Sequence, residues 1–363
     1  MQQNRTIHTD RYYTSTEQLM RVYDTNSRRM GLADEPAIDE YKEWRSNLVA
    51  KLREITGLNQ MERCPLEPEL IESTQMDGYR REKWTIETEQ GVRMPFYILI
   101  PQDGNDGGGK LRCMITPHGH ASGGKYSPAA RTDIPSIADA VTNYNYGYGE
   151  RFVKQGYIVF CPDARGFGER REWMLQGDEE HAFLNSTCVA LNHVAISLGR
   201  SLTGMWVWDL MRLIDYIQSR DDCDASRIGC AGLSGGGLQT LWLAAMDERV
   251  RCAVVSGYFY GYKDSLLKLS QNCGCNYVPH LWNYADMGDI GALIAPRALL
   301  IETGTRDGLN GERGMVNVTE QVAVTQRAYA LWGQEDRLHH HIFEGAHLWD
   351  GQETDAFVNK ALG

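Results

Sequence analysis

The sequence of 363 residues contains no apolar run of eighteen residues, and its first thirty residues contain none of signal-peptide length. The first absence argues against a membrane-spanning helix, and the second predicts a cytoplasmic protein. The chain also lacks an excess of basic residues, since 48 acidic residues outnumber 37 basic ones and give a net charge of -11. Nucleic-acid binding requires a basic face, so we expect neither nucleic acid nor a membrane as a partner.

The nine cysteines form no framework of regularly spaced pairs. Their number is odd, and Cys113, Cys161 and Cys252 lie within apolar segments, which predicts reduced and buried thiols. Only Cys273 and Cys275 stand close together, in NCGCNY. A C-x-C pair without a second Cys/His pair of matching spacing is a poor zinc signature, so we predict no metal and no cofactor.

The N-terminal part of the chain has the periodicity of amphipathic helices. In residues 37–56, apolar side chains recur every three or four positions, at Ile38, Tyr41, Trp44, Leu48, Leu52 and Ile55. Residues 15–30 are also predicted to be helical. The apolar face of such a helix has to be covered, because it cannot stay in contact with water. We therefore predict that residues 1–80 form a helical extension packed on a main domain of residues 81–363.

From about residue 82 the pattern changes to short apolar segments that alternate with helical ones. The segments predicted as strands are KWTIETEQ, VRMPFYILIP, KLRCMITPHGH, YIVFCPD, RIGCAG, VRCAVVSG, ALLIETG and HHHIFEG. This alternation predicts an α/β fold with a mainly parallel sheet and helices on both faces. Residues 169–203 and 257–292 interrupt it and are interpreted as insertions. Both follow strand ends, where open α/β sheets form ligand crevices, so we expect them to line or cover a site.

Ser234 occupies the turn GLSGG between an apolar strand and a helical pattern. This G-x-S-x-G arrangement raises one hydroxyl above a parallel sheet, while the neighbouring glycines avoid Cβ clashes. We predict that Ser234 is a catalytic nucleophile. The alternative is that this serine only caps the following helix.

A serine nucleophile needs a base, which in this strand order comes late in the chain. His347 fits, because it follows the last apolar strand in the loop FEGAHLWDG. The histidines at 339–341 are rivals by residue type, but they lie inside the predicted strand, where packing or solvent exposure is the simpler account. A metal site built on this run is a weaker alternative.

The imidazole in turn needs a carboxylate to hold its second nitrogen. Asp307 is the candidate, since it lies directly beyond the strand ALLIETG and between Ser234 and His347 in sequence. Asp350 is very close to His347 along the chain, and Glu302 lies within the strand. The alternative for Asp307 is a solvated turn residue.

Two backbone amides are expected to form an oxyanion hole. One is the amide of Gly235, which follows the nucleophile. The other comes from the loop ITPHGHASGGK after an early strand, where we assign the amide of His120, with Gly119 or Ala121 as alternatives. The side chains of His118 and His120 are predicted to order this loop.

Two further segments carry polar or aromatic side chains near predicted strand ends. In PDARGFGER, residues 162–170, Asp163 and Arg165 are expected to tie loops together by charged hydrogen bonds. The second insertion is rich in aromatic residues, and Tyr258, Tyr277 and Trp282 are candidate substrate-binding residues with flat faces for sugars. The alternative is that these rings form a small core of the insertion.

The chain from about residue 80 resembles serine α/β-hydrolases grouped around bacterial acetyl xylan esterases and dienelactone-hydrolase-like esterases. The resemblance rests on HGH at 118–120, DARGFG at 163–168, RIGCAGLSGGG at 227–237, NCGCNYVP at 272–279, APRALLIETGTRD at 295–307 and GAH at 345–347. It implies hydrolysis of a small-molecule or carbohydrate ester through an acyl-enzyme, without a cofactor. Dienelactone hydrolases proper have cysteine in place of Ser234, and cephalosporin C deacetylase relatives have glutamine in place of Gly235.

Two other functions compete with an esterase. The G-x-S-x-G-G form together with DARGFG also resembles prolyl-oligopeptidase-type peptidases, although the helical extension cannot supply their propeller domain. A non-catalytic binding protein that keeps the fold is the third hypothesis. Whether the chain forms a homo-oligomer stays open.

Overall fold

The computed structural model of the protein describes residues 10–102, 109–268 and 272–363. Its centre is a nine-stranded sheet with the strand order β1-β2-β3-β5-β4-β6-β7-β8-β9. The strands are β1 (Glu69–Gln75), β2 (Tyr79–Glu89), β3 (Val92–Pro101), β4 (Leu111–Ile115), β5 (Ile158–Pro162), β6 (Cys223–Leu233), β7 (Val250–Ser256), β8 (Ala298–Gly304) and β9 (Leu338–Phe343).

The helices of the described residues flank this sheet. They are α1 (Thr16–Asn26), α2 (Ile38–Ile55), α3 (Pro135–Tyr144), α4 (Tyr148–Val153), α5 (Glu180–Leu184), α6 (Cys188–Ser197), α7 (Leu202–Ser219), α8 (Gly235–Met246), α9 (Leu281–Tyr284), α10 (Met287–Ala292), α11 (Met315–Leu331) and α12 (Thr354–Leu362). None of those described has the length and apolar composition that crossing a membrane requires.

Buried side chains on the two faces of the sheet belong to two different cores. In β7, Ala253 and Val255 pack into the core shared with α7 and α8, whereas Cys252 and Val254 pack into the core shared with α4 and α12. Successive side chains of a strand point to opposite faces, so a strand buried on both sides is apolar throughout. The predicted fold class, a sheet covered by helices on both faces, is confirmed.

The direction of the strands decides where the loops meet. From β5 across β4, β6, β7 and β8 to β9, every neighbouring pair is parallel, and only the pairs that involve β1, β2 and β3 are antiparallel. The carboxyl ends of β4, β6, β8 and β9 therefore lie at one edge of the sheet. The loops that follow these four strands carry all the predicted catalytic and oxyanion residues.

The N-terminal extension packs on the second insertion and on α10. Arg28 binds the buried carboxylate of Asp289 through Nε and Nη2, each at 2.8 Å, and the hydroxyl of Tyr41 donates to the Ala292 carbonyl at 2.7 Å. The extension is not helical throughout to residue 80, because Glu69–Gln75 forms the edge strand β1. Nearly every residue of β1 is exposed, so the strand has no alternating apolar pattern by which to predict it.

Candidate active site

Ser234 lies at the sharp turn between β6 and α8. Its backbone has φ 59° and ψ -120°, a strained conformation for a residue with a side chain, and its N–H donates to the Ser256 carbonyl of β7 at 2.9 Å. The turn requires glycine, since a Cβ at Gly232 would lie 2.5 Å from the carbonyl carbon of Gly236. The Ser234 side chain makes no capping hydrogen bond to α8, so the helix-cap alternative is not supported.

Asp307 and His347 meet at the ends of the neighbouring strands β8 and β9. His347 Nδ1 is 2.7 Å from Asp307 Oδ2, and the Asp307 side chain is almost fully buried. The other carboxylate oxygen of Asp307 accepts the Leu309 N–H at 2.8 Å, which orients the carboxylate. A Cβ at Gly257 would lie 3.0 Å from Cε1 of the His347 ring and 3.0 Å from the Leu233 side chain. The ring therefore stands over the end of β7, beside the strand that leads into Ser234.

The rival acids and histidines have other partners. Glu302 is buried and accepts hydrogen bonds from the Gly351 N–H and the Thr354 hydroxyl, and burial raises the pKa of its carboxyl. Asp350 pairs with His341 at 2.9 Å. Each of these two carboxylates therefore has a partner other than His347.

The remaining histidines of the 339–341 run also have partners at the far edge of the sheet. His340 contacts the Thr303 hydroxyl at 3.0 Å, and His339 contacts Glu353. The ligand atoms of His339, His341 and Glu353 lie within 4.8 Å of one another, but two of these three residues are exposed. They lie on β9 and the segment before α12, and the candidate catalytic residues do not depend on them.

The loop after β4 lies against the turn that carries Ser234. A Cβ at Gly119 would be 3.1 Å from Ser234 Cβ and 2.7 Å from the Leu233 carbonyl oxygen, so this close approach requires glycine. A Cβ at Gly235 would in turn be 3.4 Å from Gly119 Cα and 3.0 Å from Nδ1 of His120. The peptide that joins Gly119 to His120 therefore lies beside Gly235, where the oxyanion hole is predicted.

The side chain of His118 holds this loop in place. Its Nδ1 is 2.8 Å from the Gly119 carbonyl oxygen, and its Nε2 accepts the Ala164 N–H at 3.1 Å. Burial lowers the pKa of His118 to about 4. The imidazole is therefore neutral at physiological pH and acts as a hydrogen-bonding link between the loops after β4 and β5.

The segment PDARGFGER also links loops. Asp163 forms a fully buried ion pair with Lys125 at 2.6 Å, and Arg165 binds Asp209 through two nitrogens at 2.8 and 2.9 Å. Arg170 reaches the same Asp209 at 2.7 Å. These contacts follow the prediction that the segment ties loops together rather than touching a substrate.

A cavity of about 470 Å³ opens beside Ser234. The turn and the loop after β4 contribute Ser234, Gly235 and His120, while the two insertions supply most of the other lining residues, namely Ser186, Val189, Tyr258, Tyr260, Asn272, Cys273 and Asn276. The insertions are joined by Asn192, whose amide donates to the carbonyls of Gly274 at 2.6 Å and Tyr277 at 3.2 Å. The insertions therefore line the site, as their positions after strand ends predict.

The three candidate substrate-binding aromatics do not share one environment. Tyr258 lines the cavity, although it is 4% exposed and its hydroxyl donates to Asn276 Oδ1 at 2.7 Å. Trp282 packs against the rings of Tyr23, Tyr262 and Tyr277. Tyr277 and Trp282 thus belong to an aromatic cluster between the second insertion and α1, which is the alternative that the sequence left open.

One group of side chains in the cavity was missed by sequence reasoning. His120 from the loop after β4, Cys188 from the first insertion, and Cys273 and Cys275 from the second insertion converge. Hydrogen bonds from Cys188 and Cys275 hold the pKa of the Cys273 thiol well below its ordinary value, although burial opposes this. Burial alone would lower the pKa of His120, but its contacts with Cys188 and Cys273 raise that pKa to about 10. This group could not be predicted from a local spacing of residues, because its members come from distant parts of the sequence.

The fold and the placement of these residues are those of an α/β-hydrolase, with the serine turn after a central strand and the Asp and His residues after later strands. The chain belongs to the Abhydrolase family, whose model matches residues 2–345. The match ends two residues before His347, so the placement of that histidine rests on the structure.

Comparisons with individual proteins agree with this fold. The chain is 26% identical over 277 residues to the Bacillus subtilis (strain 168) protein named "Putative hydrolase YtaP", covering 76% of this chain and 85% of that protein. A Bacteroides fragilis protein described as a "putative acetyl xylan esterase" superposes with a TM-score of 0.71 at 18% identity, over 98% and 92% of the two chains. A glucuronoyl esterase from Solibacter usitatus gives a TM-score of 0.65 at 15% identity, over 93% and 97%. At these identities the two structures share the fold with this chain.

Proposed function

We propose that the protein is a serine carboxylic-ester hydrolase that acts through an acyl-enzyme on a carbohydrate or similar small acyl ester. The observation that carries the proposal is the 2.7 Å contact between His347 Nδ1 and Asp307 Oδ2 at the strand ends next to the Ser234 turn. With Nδ1 held by the carboxylate, Nε2 is the ring nitrogen left to accept a proton from Ser234. These three residues are the proposed nucleophile, base and orienting acid.

In the first step, Ser234 Oγ attacks the ester carbonyl carbon while its proton passes to His347 Nε2. Asp307 stabilises the imidazolium that forms, and its buried position keeps the carboxylate directed at Nδ1. The tetrahedral intermediate then expels the alcohol oxygen, which takes the proton from His347. The acyl group stays on Ser234 as an ester.

The negative oxygen of the tetrahedral intermediate needs donors that are already in place. The backbone N–H of Gly235 and that of His120 are the proposed pair, because the Gly119 to His120 peptide lies beside Gly235. A preorganised donor of this kind lowers the barrier by about 3 kcal/mol. The positive φ of Ser234 and the close approach of Gly119 to Gly235 bring these groups together at the turn.

In the second step, a water molecule attacks the acyl carbon while His347 accepts its proton. The same oxyanion donors stabilise the second intermediate, and Ser234 Oγ leaves with the proton returned by His347. The products are the free alcohol and the carboxylic acid, and the enzyme is restored. No redox step or organic cofactor takes part in this sequence.

The substrate class rests on the cavity and on the related structures. The cavity has a polar lining in Ser186, Asn272 and Asn276, together with the ring of Tyr260. Hydroxyl-rich ligands match such a mixed lining. Structures of similar fold are described as acetyl xylan esterases and glucuronoyl esterases, which act on carbohydrate esters by those names.

The test is to compare acetate release from acetylated xylan, acetylated monosaccharides and cephalosporin C, with p-nitrophenyl acetate as a general ester. We expect ester hydrolysis by the wild type, covalent labelling of Ser234 by a fluorophosphonate, and loss of both in Ser234→Ala. Ser197→Ala is the matched control, because Ser197 is an exposed serine on α6.

Two results would contradict the proposal. Faster cleavage of acylated peptides than of esters would identify a peptidase or amidase with the same residues. Folded wild-type protein that neither hydrolyses esters nor reacts with the fluorophosphonate would identify a non-catalytic protein with this fold.

A further inference from the structure

Four potential metal ligands from three separate segments converge at the wall of the cavity. The Sγ of Cys188 is 3.9 Å from His120 Nε2, and the Sγ of Cys275 is 3.6 Å from the same nitrogen. The ligand atoms of His120, Cys188 and Cys273 all lie within 4.8 Å of one another. Cys275 joins this group of three through its contact with the His120 ring. We refer to these four residues as the Cys/His cluster.

Two sulfur-to-nitrogen distances in the cluster are close to those of a tetrahedral metal site. Zinc binds thiolate sulfur at about 2.3 Å and imidazole nitrogen at about 2.0 to 2.1 Å, which puts a sulfur and a nitrogen ligand about 3.6 Å apart in a tetrahedron. The two sulfur-to-nitrogen distances of 3.6 and 3.9 Å are close to this value. One imidazole and three cysteines are one of the common ligand sets of structural zinc.

The surroundings of the cluster also favour a bound ion over simple packing. Cys188 and Cys275 are each 1% exposed, and all nine cysteines of the chain are unpaired. Cys188 Sγ contacts the Ser186 hydroxyl at 3.1 Å, and Cys275 Sγ accepts a long hydrogen bond from the Asn276 amide at 3.8 Å. Sulfur is a weak hydrogen-bond partner, whereas a metal ion binds several sulfurs and an imidazole at once. An apolar packing role would not require a histidine at the centre of the group.

We propose that His120, Cys188, Cys273 and Cys275 bind one zinc ion or a similar thiophilic divalent metal ion. His120 binds through Nε2 and the cysteines through Sγ, and each bound thiol releases its proton to solvent without any change of oxidation state. The ion joins both insertions to the loop that carries the proposed oxyanion donor. It also leaves the ring proton of His120 on Nδ1, the nitrogen nearest to Gly235.

The proposal is tested by the metal content of protein purified under reducing conditions without chelators. We expect about one zinc per chain by elemental mass spectrometry, and release of that zinc when a mercurial reagent titrates the thiols. In Cys273→Ala, the zinc content is expected to fall below about a tenth of an equivalent per chain. Cys252→Ala should keep its zinc, since Cys252 is a buried thiol of β7 that packs in the core shared with α4 and α12.

A cobalt titration keeps the test decisive if a variant does not fold. Wild-type protein stripped of metal should bind one equivalent of Co²⁺ with the visible bands of a tetrahedral site and the near-ultraviolet band of thiolate-to-cobalt charge transfer. Folded, reduced wild-type protein without zinc and without these bands would overturn the proposal. A disulfide between cysteines of the cluster in the purified protein would overturn it as well. Metal content is measured without an ester substrate, so this result and the test of hydrolysis can fail separately.

Discussion

On the strand-end side of the site, Ser234, Asp307 and His347 each follow a strand of the central sheet, whereas on the insertion side Cys188 and Cys273 belong to segments inserted between strands. The strand-end side is positioned by hydrogen-bonded register, because β6, β7, β8 and β9 are parallel neighbours. In the part of the insertions that the structure describes, no strand ladder joins the two segments, and side-chain contacts such as those of Asn192 link them.

The difference fits the proposed function, which assigns the chemistry to the strand-end side and substrate recognition to the insertion side. A sheet holds groups at its edge with little freedom, which suits reacting atoms that require precise placement. Inserted segments can change in length and sequence while the sheet persists, which suits the recognition of a substrate. The predictions below test this division, from the largest expected effect to the smallest.

Ser234→Ala removes the proposed nucleophile on the strand-end side. We expect kcat for ester hydrolysis to fall by about 10⁴-fold or more, because the variant lacks the hydroxyl that is proposed to form the acyl-enzyme. Steady-state kinetics with p-nitrophenyl acetate measures the loss. The metal content should be unchanged, so a parallel loss of zinc would show that the two sides of the site are not independent.

Asp307→Asn keeps the size of the side chain but removes the charge that stabilises the imidazolium of His347. We expect kcat to fall by about 10⁴-fold, since an amide also favours the wrong tautomer of the ring. Asp350→Asn is the comparison, because Asp350 pairs with His341 and not with His347. Equal losses in the two variants would contradict the assignment of Asp307.

Gly119→Ala tests the close approach of the loop after β4 to the serine turn. The new methyl group would lie 2.7 Å from the Leu233 carbonyl oxygen and 3.1 Å from Ser234 Cβ, so the loop has to move. We expect kcat/KM to fall by about a hundredfold, as for a displacement of about 1 Å in a catalytic group. Gly109→Ala is the control, since a Cβ there meets no atom within 4 Å.

Asn192→Ala loosens the insertion side without touching the strand ends. The change removes hydrogen bonds to the half-buried carbonyls of Gly274 and Tyr277, and it removes the acceptor of the buried Leu202 N–H. We expect a loss of about 2 kcal/mol in the free energy of unfolding and a rise in KM that exceeds the fall in kcat. Denaturant unfolding and steady-state kinetics measure these effects. Ser197→Ala is the control, since it changes an exposed residue of the same helix. Its free energy of unfolding, KM and kcat should all stay close to those of the wild type.

The buried imidazole of His118 links stability to pH. Its folded pKa of about 4 lies below the ordinary value of 6.5, so the folded state prefers the neutral ring. This contribution to stability is fully present above pH 6.5 and is lost as the pH falls towards 4, by about 1 kcal/mol between pH 7.5 and 5.5. The free energy of unfolding should differ less between pH 7.5 and pH 5.5 in His118→Gln than in the wild type. An identical pH dependence would place the titrating group elsewhere.

Much of the fold and of the strand-end side can be predicted from the sequence. Ser234 and Asp307 directly follow apolar segments, and a sheet of parallel strands brings the residues after such segments to one edge. The edge strand β1 could not be predicted, because its exposed residues carry no alternation. The aromatic residues of the second insertion were also ambiguous, since a ring that binds a sugar and a ring that packs against α1 have the same local sequence.

The Cys/His cluster is the part of the site that could least be predicted from the sequence. Cys273 and Cys275 stand alone in the sequence, and from their spacing we predicted no metal, yet Cys188 and His120 join them from positions 85 and 153 residues before Cys273. By itself, the sequence determined strands β2 to β9 and the serine turn, because periodicity and glycine placement are local properties. Only the tertiary structure decided which side chains of the insertions meet across the cavity, because such contacts depend on how distant segments pack.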